Sequence, residues 1–188
     1  MAVPCFGQAT ATTSQLKPVP LNSGVATLAP ANSRIDFVGT HEGDKPDPRK
    51  GGFEKFSGKA SVGDDGALES VAFEIETGSL WTEIDKLTAH LKSPDFFGVR
   101  ENPKASFRST AVAAGKADGE VVITGEFTLL GNTQQIKVPA TVQTTPEGLT
   151  LVSDFKIDRT KFGMNYGQGK VTNEVQLIVT IGKATKSK

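Results

Sequence analysis

The stretch VAFEIET, residues 71–77, places Val71, Phe73, Ile75 and Thr77 in alternation with Ala72, Glu74 and Glu76. A period of two with one apolar and one charged face is the pattern of a half-buried β-strand. The same alternation recurs at Ala105–Ala113, Val121–Leu129, Ile136–Val142, Leu149–Ile157 and Val175–Ile181. Ile35 and Phe37 predict a shorter strand, and Phe53–Val62 predicts another. DDG at 64–66, ADG at 117–119, LGN at 130–132 and PEG at 146–148 stand between the runs as hairpin-type turn signals. About eight strands joined by short turns predict an all-β fold, an antiparallel meander closing into a barrel or sandwich.

A barrel of that size either fills its interior with side chains or leaves room for one small ligand. The positions expected to face inward include the small residues Ala105, Ser109, Ala111, Ala113, Gly125, Ala140 and Ser153. Beside Phe107, Phe127 and Phe155 they would leave an elongated apolar cavity. Taken from the pattern alone, large side chains on facing strands filling that space is the default reading.

One segment breaks the β pattern. KLTAHLKSPDFFGV, 86–99, lies in a short helical insertion expected near residues 82–98. Thr82 is a suitable N-cap with Asp85 three residues on, so the helix is expected from Glu83. Ile84, Leu87 and Leu91 then form one apolar stripe toward the sheet. Pro94 ends the helix, with Ser93 and Pro94 starting a new turn that carries Phe96 and Phe97 as a plug over one barrel end.

The chain has 188 residues, 21 basic against 21 acidic, which suits one domain and lacks the basic footprint that nucleic acid demands. No apolar run approaches the roughly 18 residues that span a bilayer, so no transmembrane segment is expected. A single Cys, at position 5, and two His, His41 and His90, leave no material for a disulfide or a zinc site. No metal and no cofactor is expected; DDG at 64–66 and EGDKPD at 42–47 lack the ligand spacing of a calcium loop. Residues 1–23 are Ala, Thr, Pro and Gln without apolar periodicity and are expected to be disordered, outside a domain at 24–185. Gly7 and Ala9 match the small-residue pattern before a signal-peptidase cut, so the segment reads either as the tail of a secretory signal or as an ordinary tail.

The segment GSLWTEIDKLTAHLKSPDFFGVRENPKASF, 78–107, resembles the YceI-like family through its S-L-x-T, H-L-x-S-x-D-F-F and P-x-x-x-F motifs. GGFEKFSG at 51–58, GEFTLLGNTQQIKVPA at 125–140 and IDRTKFGM at 157–164 follow in that family's order. The resemblance implies a lipocalin-like barrel that binds a polyisoprenoid, quinone-like or fatty lipid, in a periplasmic or secreted protein. A homodimer is compatible with it. The candidate ligand-binding residues are then Phe37, Phe73, Ile75, Leu87, Leu91, Phe96, Phe97, Phe107, Phe127 and Phe155. The insert EGDKPDPRK, 42–50, is longer than the turn many relatives carry and is expected to remodel the entrance.

Enzymatic readings find less support. His90 has Lys86 and Pro94 at i−4 and i+4, neither able to orient a catalytic ring, which favours a structural role and no catalytic residue. Asp95 reads as a cap of the second turn. Asp158 and Arg159 read first as a local salt bridge and second as an anionic head-group site. GMNYGQG, 163–169, lacks the Lys and Ser or Thr of a phosphate loop. A filled barrel of structural or stress-related role, and an enzyme acting on an isoprenoid lipid, stand as the alternatives.

Overall fold

The computed structural model describes residues 17–43 and 45–182. The chain runs β1 (Val25–Leu28), β2 (Ser33–His41), β3 (Asp47–Phe53), β4 (Phe56–Val62), β5 (Leu68–Glu76), β6 (Leu80–Thr82), α1 (Asp85–Lys92), β7 (Lys104–Ala114), β8 (Glu120–Leu129), β9 (Asn132–Thr145), β10 (Gly148–Asp158) and β11 (Glu174–Ile181). All pairings are antiparallel, in the order β1-β4-β5-β7-β8-β9-β10-β11-β2-β3-β6.

Eleven strands replace the expected eight or so, and the reason is local. The run expected as one strand at Phe53–Val62 is the second part of a longer, bent strand that breaks at Glu54–Lys55 into β3 and β4. β3 pairs with β2 at one end of the strand order, while β4 pairs with β5 toward the other. The curled sheet therefore returns on itself through that bend. Glu54 N–H donates to Ser79 O, and Glu76 N–H to Lys55 O, carrying the ladder across it. Counting the bent strand once and setting aside the short β1 and β6 leaves eight staves, the number at which a barrel interior just admits side chains or one ligand.

The period-two readings of β5, β8, β9 and β10 place the expected apolar faces inward. In β7 the alternation fails halfway. A bulge between Ser109 and Ala111 inserts Thr110, so Ala111 and Ala113, expected inward, are exposed and Val112 takes the inner face. The Ser109 hydroxyl accepts from Val71 N–H at 2.9 Å, satisfying a donor beside the bulge. LGN forms a two-residue turn from β8 to β9 with φ of 52° at Leu130 and 73° at Gly131, the mirror-image turn that matches strand twist.

The domain reaches further forward than the expected boundary at 24. Val19 is 2 % exposed and exchanges both backbone hydrogen bonds with Leu149. Cys5, Gly7 and Ala9 lie outside the described residues.

Candidate functional site

The inner faces of the strands leave two adjoining apolar cavities. One, about 270 Å³, lies under α1; the other, about 80 Å³, lies deeper, and Phe53, Ile75, Phe127 and Leu177 line both. Every sequence-selected residue faces this space. Phe37, Leu87, Leu91, Phe96 and Phe97 border the larger cavity, Phe73, Phe107 and Phe155 the smaller, and Ile75 and Phe127 both.

The volume survives because several rings lie flat on the barrel wall. Phe37 stands opposite Gly51, and Phe73 opposite Gly58, on neighbouring strands. A Cβ at Gly51 would fall 2.4 Å from Phe37 Cζ, and one at Gly58 would fall 2.8 Å from Phe73 Cδ1. Gly125 offers the same recess to Phe107, whose Cζ would be 2.5 Å from an added Cβ. With a larger residue there the ring would swing toward the axis, so these glycine–aromatic contacts keep the interior open.

The helical insertion covers one end, with differences from the sequence reading. Thr82 does not cap a helix at Glu83; it ends β6, paired with Gly51, and its hydroxyl donates to Ile84 O. The strand pairing of 80–82 with β3 outweighs local capping chemistry, and α1 begins at Asp85 with no side-chain cap. Ile84, expected in the buried stripe, therefore lies outside the helix and is 39 % exposed. Leu87 and Leu91 still face the cavity. Ser93 ends the helix before Pro94 and its hydroxyl accepts from Asp95 N–H.

Phe96 and Phe97 diverge from the following turn. The Phe96 ring contacts His90 and Tyr166 edge-on, with centroids 5.1 Å apart for His90–Phe96 and 5.2 Å for Phe96–Tyr166. Phe97 meets Phe53 of β3 at 5.9 Å, and Phe53 in turn meets Phe37. His90 does have a partner, at i+5: its Nε2 lies 3.0 Å from Asp95 Oδ2. Asp95 thus ties the second turn to the helix through His90.

The opposite rim is built by β2, β3 and residues 163–172. The insert at 42–50 is a strand in part: Asp47–Lys50 pairs with Val38–His41 and brings Arg49 beside His41 at the cavity. Arg159 fixes the rest of the rim. It is 2 % exposed and donates from Nε to Thr172 O, from Nη1 to Met164 O and Tyr166 O, and from Nη2 to Val171 O, over 2.7–3.2 Å. The expected Asp158–Arg159 salt bridge does not form. Asp158 instead accepts from the Thr160 N–H and hydroxyl, and these hydrogen bonds hold its carboxyl below the usual range. Burial pushes the Arg159 guanidinium below its ordinary value, opposed by the charges of Asp158 and Glu42.

Sequence reasoning missed Phe53, Met164, Tyr166 and Lys170 as lining residues. The quoted IDRTKFGM was the available signal for the last three, because Arg159 organises the loop that carries them. Among the described residues no three His, Cys, Asp or Glu side chains cluster to hold a metal ion.

An antiparallel curled barrel with a helix over one end and an apolar interior defines a lipocalin-like protein. The YceI-like domain family matches residues 27–182, and the chain belongs to that family. It is 31 % identical to Protein YceI of Escherichia coli over 139 residues, covering 70 % of this chain and 71 % of that one. A UPF0312 protein of Pseudomonas putida is 37 % identical over 73 residues, 38 % of this chain and only 36 % of the relative's length. Burkholderia cenocepacia BcnA has a similar fold, with a TM-score of 0.72 and 23 % identity over 81 % of this chain and 96 % of that one. A polyisoprenoid binding domain from Saccharophagus degradans matches with a TM-score of 0.63 and 14 % identity over 85 % of this chain and 98 % of that one.

Proposed function

We propose that the protein binds and carries a long apolar amphiphile, a polyisoprenoid, quinone-like or fatty lipid, inside the barrel without covalent chemistry of its own. The observation that carries this is the pair of adjoining apolar cavities. Without an occupant the larger cavity leaves apolar lining facing water or empty space, which is a free-energy cost. An alkyl or prenyl chain offsets that cost and gains about 0.8 kcal/mol per buried CH₂. The polyisoprenoid binding named for the Saccharophagus domain supports the ligand class. His90 supports binding over catalysis, since its hydrogen bond to Asp95 and its edge contacts with Phe96 and Tyr166 give it a mechanical role in holding the cover.

Mass spectrometry of protein purified from its own host, run natively and on an organic extract, tests the reading. A copurified prenyl or fatty lipid is the expected result. An empty protein that also fails to take up farnesol would overturn it. The small residues Gly7 and Ala9 support export to the periplasm or medium, with mature protein beginning near Thr10; an intact Met1 on cytoplasmic protein would refute that.

A further inference from the structure

The larger cavity is apolar along its length and charged at one rim. The charged groups lining it are Arg49, Arg159 and Lys170, and no Asp or Glu lines it among the described residues. The three cationic residues line the same cavity because their segments are bonded together. His41 bridges Val171, Glu42 N–H donates to Lys170 O, Gly39 pairs with Arg49, and the Arg159 guanidinium holds Val171 O.

Their counter-charges are unevenly supplied. Arg49 pairs with Asp47, both about half exposed. Asp95 faces His90, and Asp158 accepts hydrogen bonds from Thr160, a neutral residue that orients its carboxylate without removing its charge. Asp158 and Glu42 are both near enough to influence Arg159, yet neither Arg159 nor Lys170 forms an ion pair among the described residues. The four carbonyls on Arg159 use four of its five N–H donors and supply dipoles without a neutralising charge. A guanidinium kept buried in this way is expensive unless an anion approaches it, and charge-assisted hydrogen bonds are about twice as strong as neutral ones.

Resting on the reading that the cavity holds an amphiphile, we propose that this amphiphile is anionic. Its carboxylate or phosphate lies at the rim by Arg159 and Lys170, and its chain runs inward past Phe127 toward the deeper cavity. A neutral alcohol would gain only hydrogen bonds at that rim, and a quaternary ammonium would be repelled.

Titration calorimetry with four probes sharing one chain separates the cases: dodecanoate, dodecyl phosphate, dodecanol and dodecyltrimethylammonium. The two anions should bind roughly tenfold or more tightly than dodecanol, the ammonium most weakly, and salt should narrow the gap. Lys170→Glu, at an exposed side chain, should weaken anion binding by roughly three- to tenfold and change dodecanol binding far less. The ratio of the two anions identifies carboxylate or phosphate as the head group. Dodecanol binding as tightly as both anions, or anion binding indifferent to Lys170→Glu and to Lys170→Gln, would overturn the head-group assignment while leaving the lipid-carrier reading intact. Failure of all four probes to bind would remove both.

Discussion

Arg159 shows how one side chain can set a rim. Its four carbonyl acceptors belong to residues 164, 166, 171 and 172, so a single guanidinium ties the loop before β11 to the barrel. Arg159→Met keeps the bulk but orphans those carbonyls. A loss of roughly 3 kcal/mol or more in urea unfolding is expected, because a buried unsatisfied group costs about 1–3 kcal/mol. A loss below about 1 kcal/mol would show that the backbone finds other donors there. Asp36 is the converse case. Burial raises its carboxyl pKa, and Arg34 only partly opposes this, so at neutral pH the folded state holds a charge that the unfolded state holds more cheaply. Asp36→Asn should therefore raise stability at neutral pH, by less than about 1 kcal/mol given the residue's remaining solvent contact. Between the unfolded and folded pKa values the native protein binds the extra proton, so wild-type stability gains as pH falls through the folded value. The advantage of the Asn variant should disappear on acidification, and an advantage that persisted there would point to a cause other than charge. Neither role was legible in the sequence: Arg159 next to Asp158 looks like an ion pair, and only the three-dimensional placement of four carbonyls says otherwise.

At the scale of elements, the helical insertion divides its labour between two adjacent phenylalanines. Phe96 is buried and packs on His90 and Tyr166, so it fastens α1 to the rim loop. Phe97 is only partly buried and points toward Phe53 across the larger cavity. Phe96→Ala should cost about 3 kcal/mol of stability, near the low end for a core aromatic. Phe97→Ala should leave the melting temperature closer to wild type and reduce uptake of a fluorescent isoprenoid more. Equal effects of the two on both measurements would mean that the pair acts as one plug. The helix, its end at Pro94 and the paired rings were all legible, because proline chemistry and apolar spacing are local. Its start was not. Thr82 carries every local sign of an N-cap, and only pairing with a strand about thirty residues earlier turns it into the end of β6. The β7 bulge escaped for the same reason, since its stabilising contact joins Ser109 to Val71.

For the whole molecule, the alternating runs made the antiparallel barrel legible, while the question of a filled or open interior was not. That outcome depends on summed volumes across facing strands and on where rings lie, and the glycines beneath Phe37, Phe73 and Phe107 decide it through contacts that no single strand reveals. Ala105 is 3 % exposed, faces the larger cavity and pairs with Ile75, so a bigger side chain there projects into free volume. If the space is kept for a ligand, filling it should separate stability from binding. Ala105→Phe should keep or raise the melting temperature of lipid-free protein, as cavity-filling changes commonly add about 0.5–2 kcal/mol. It should also abolish the rise in melting temperature that dodecanoate gives the wild-type protein, since a ligand stabilises only the state it can enter. Thermal unfolding of both proteins with and without dodecanoate reads the two effects together. A variant that melts lower and still responds fully to dodecanoate would place the bound chain elsewhere in the barrel.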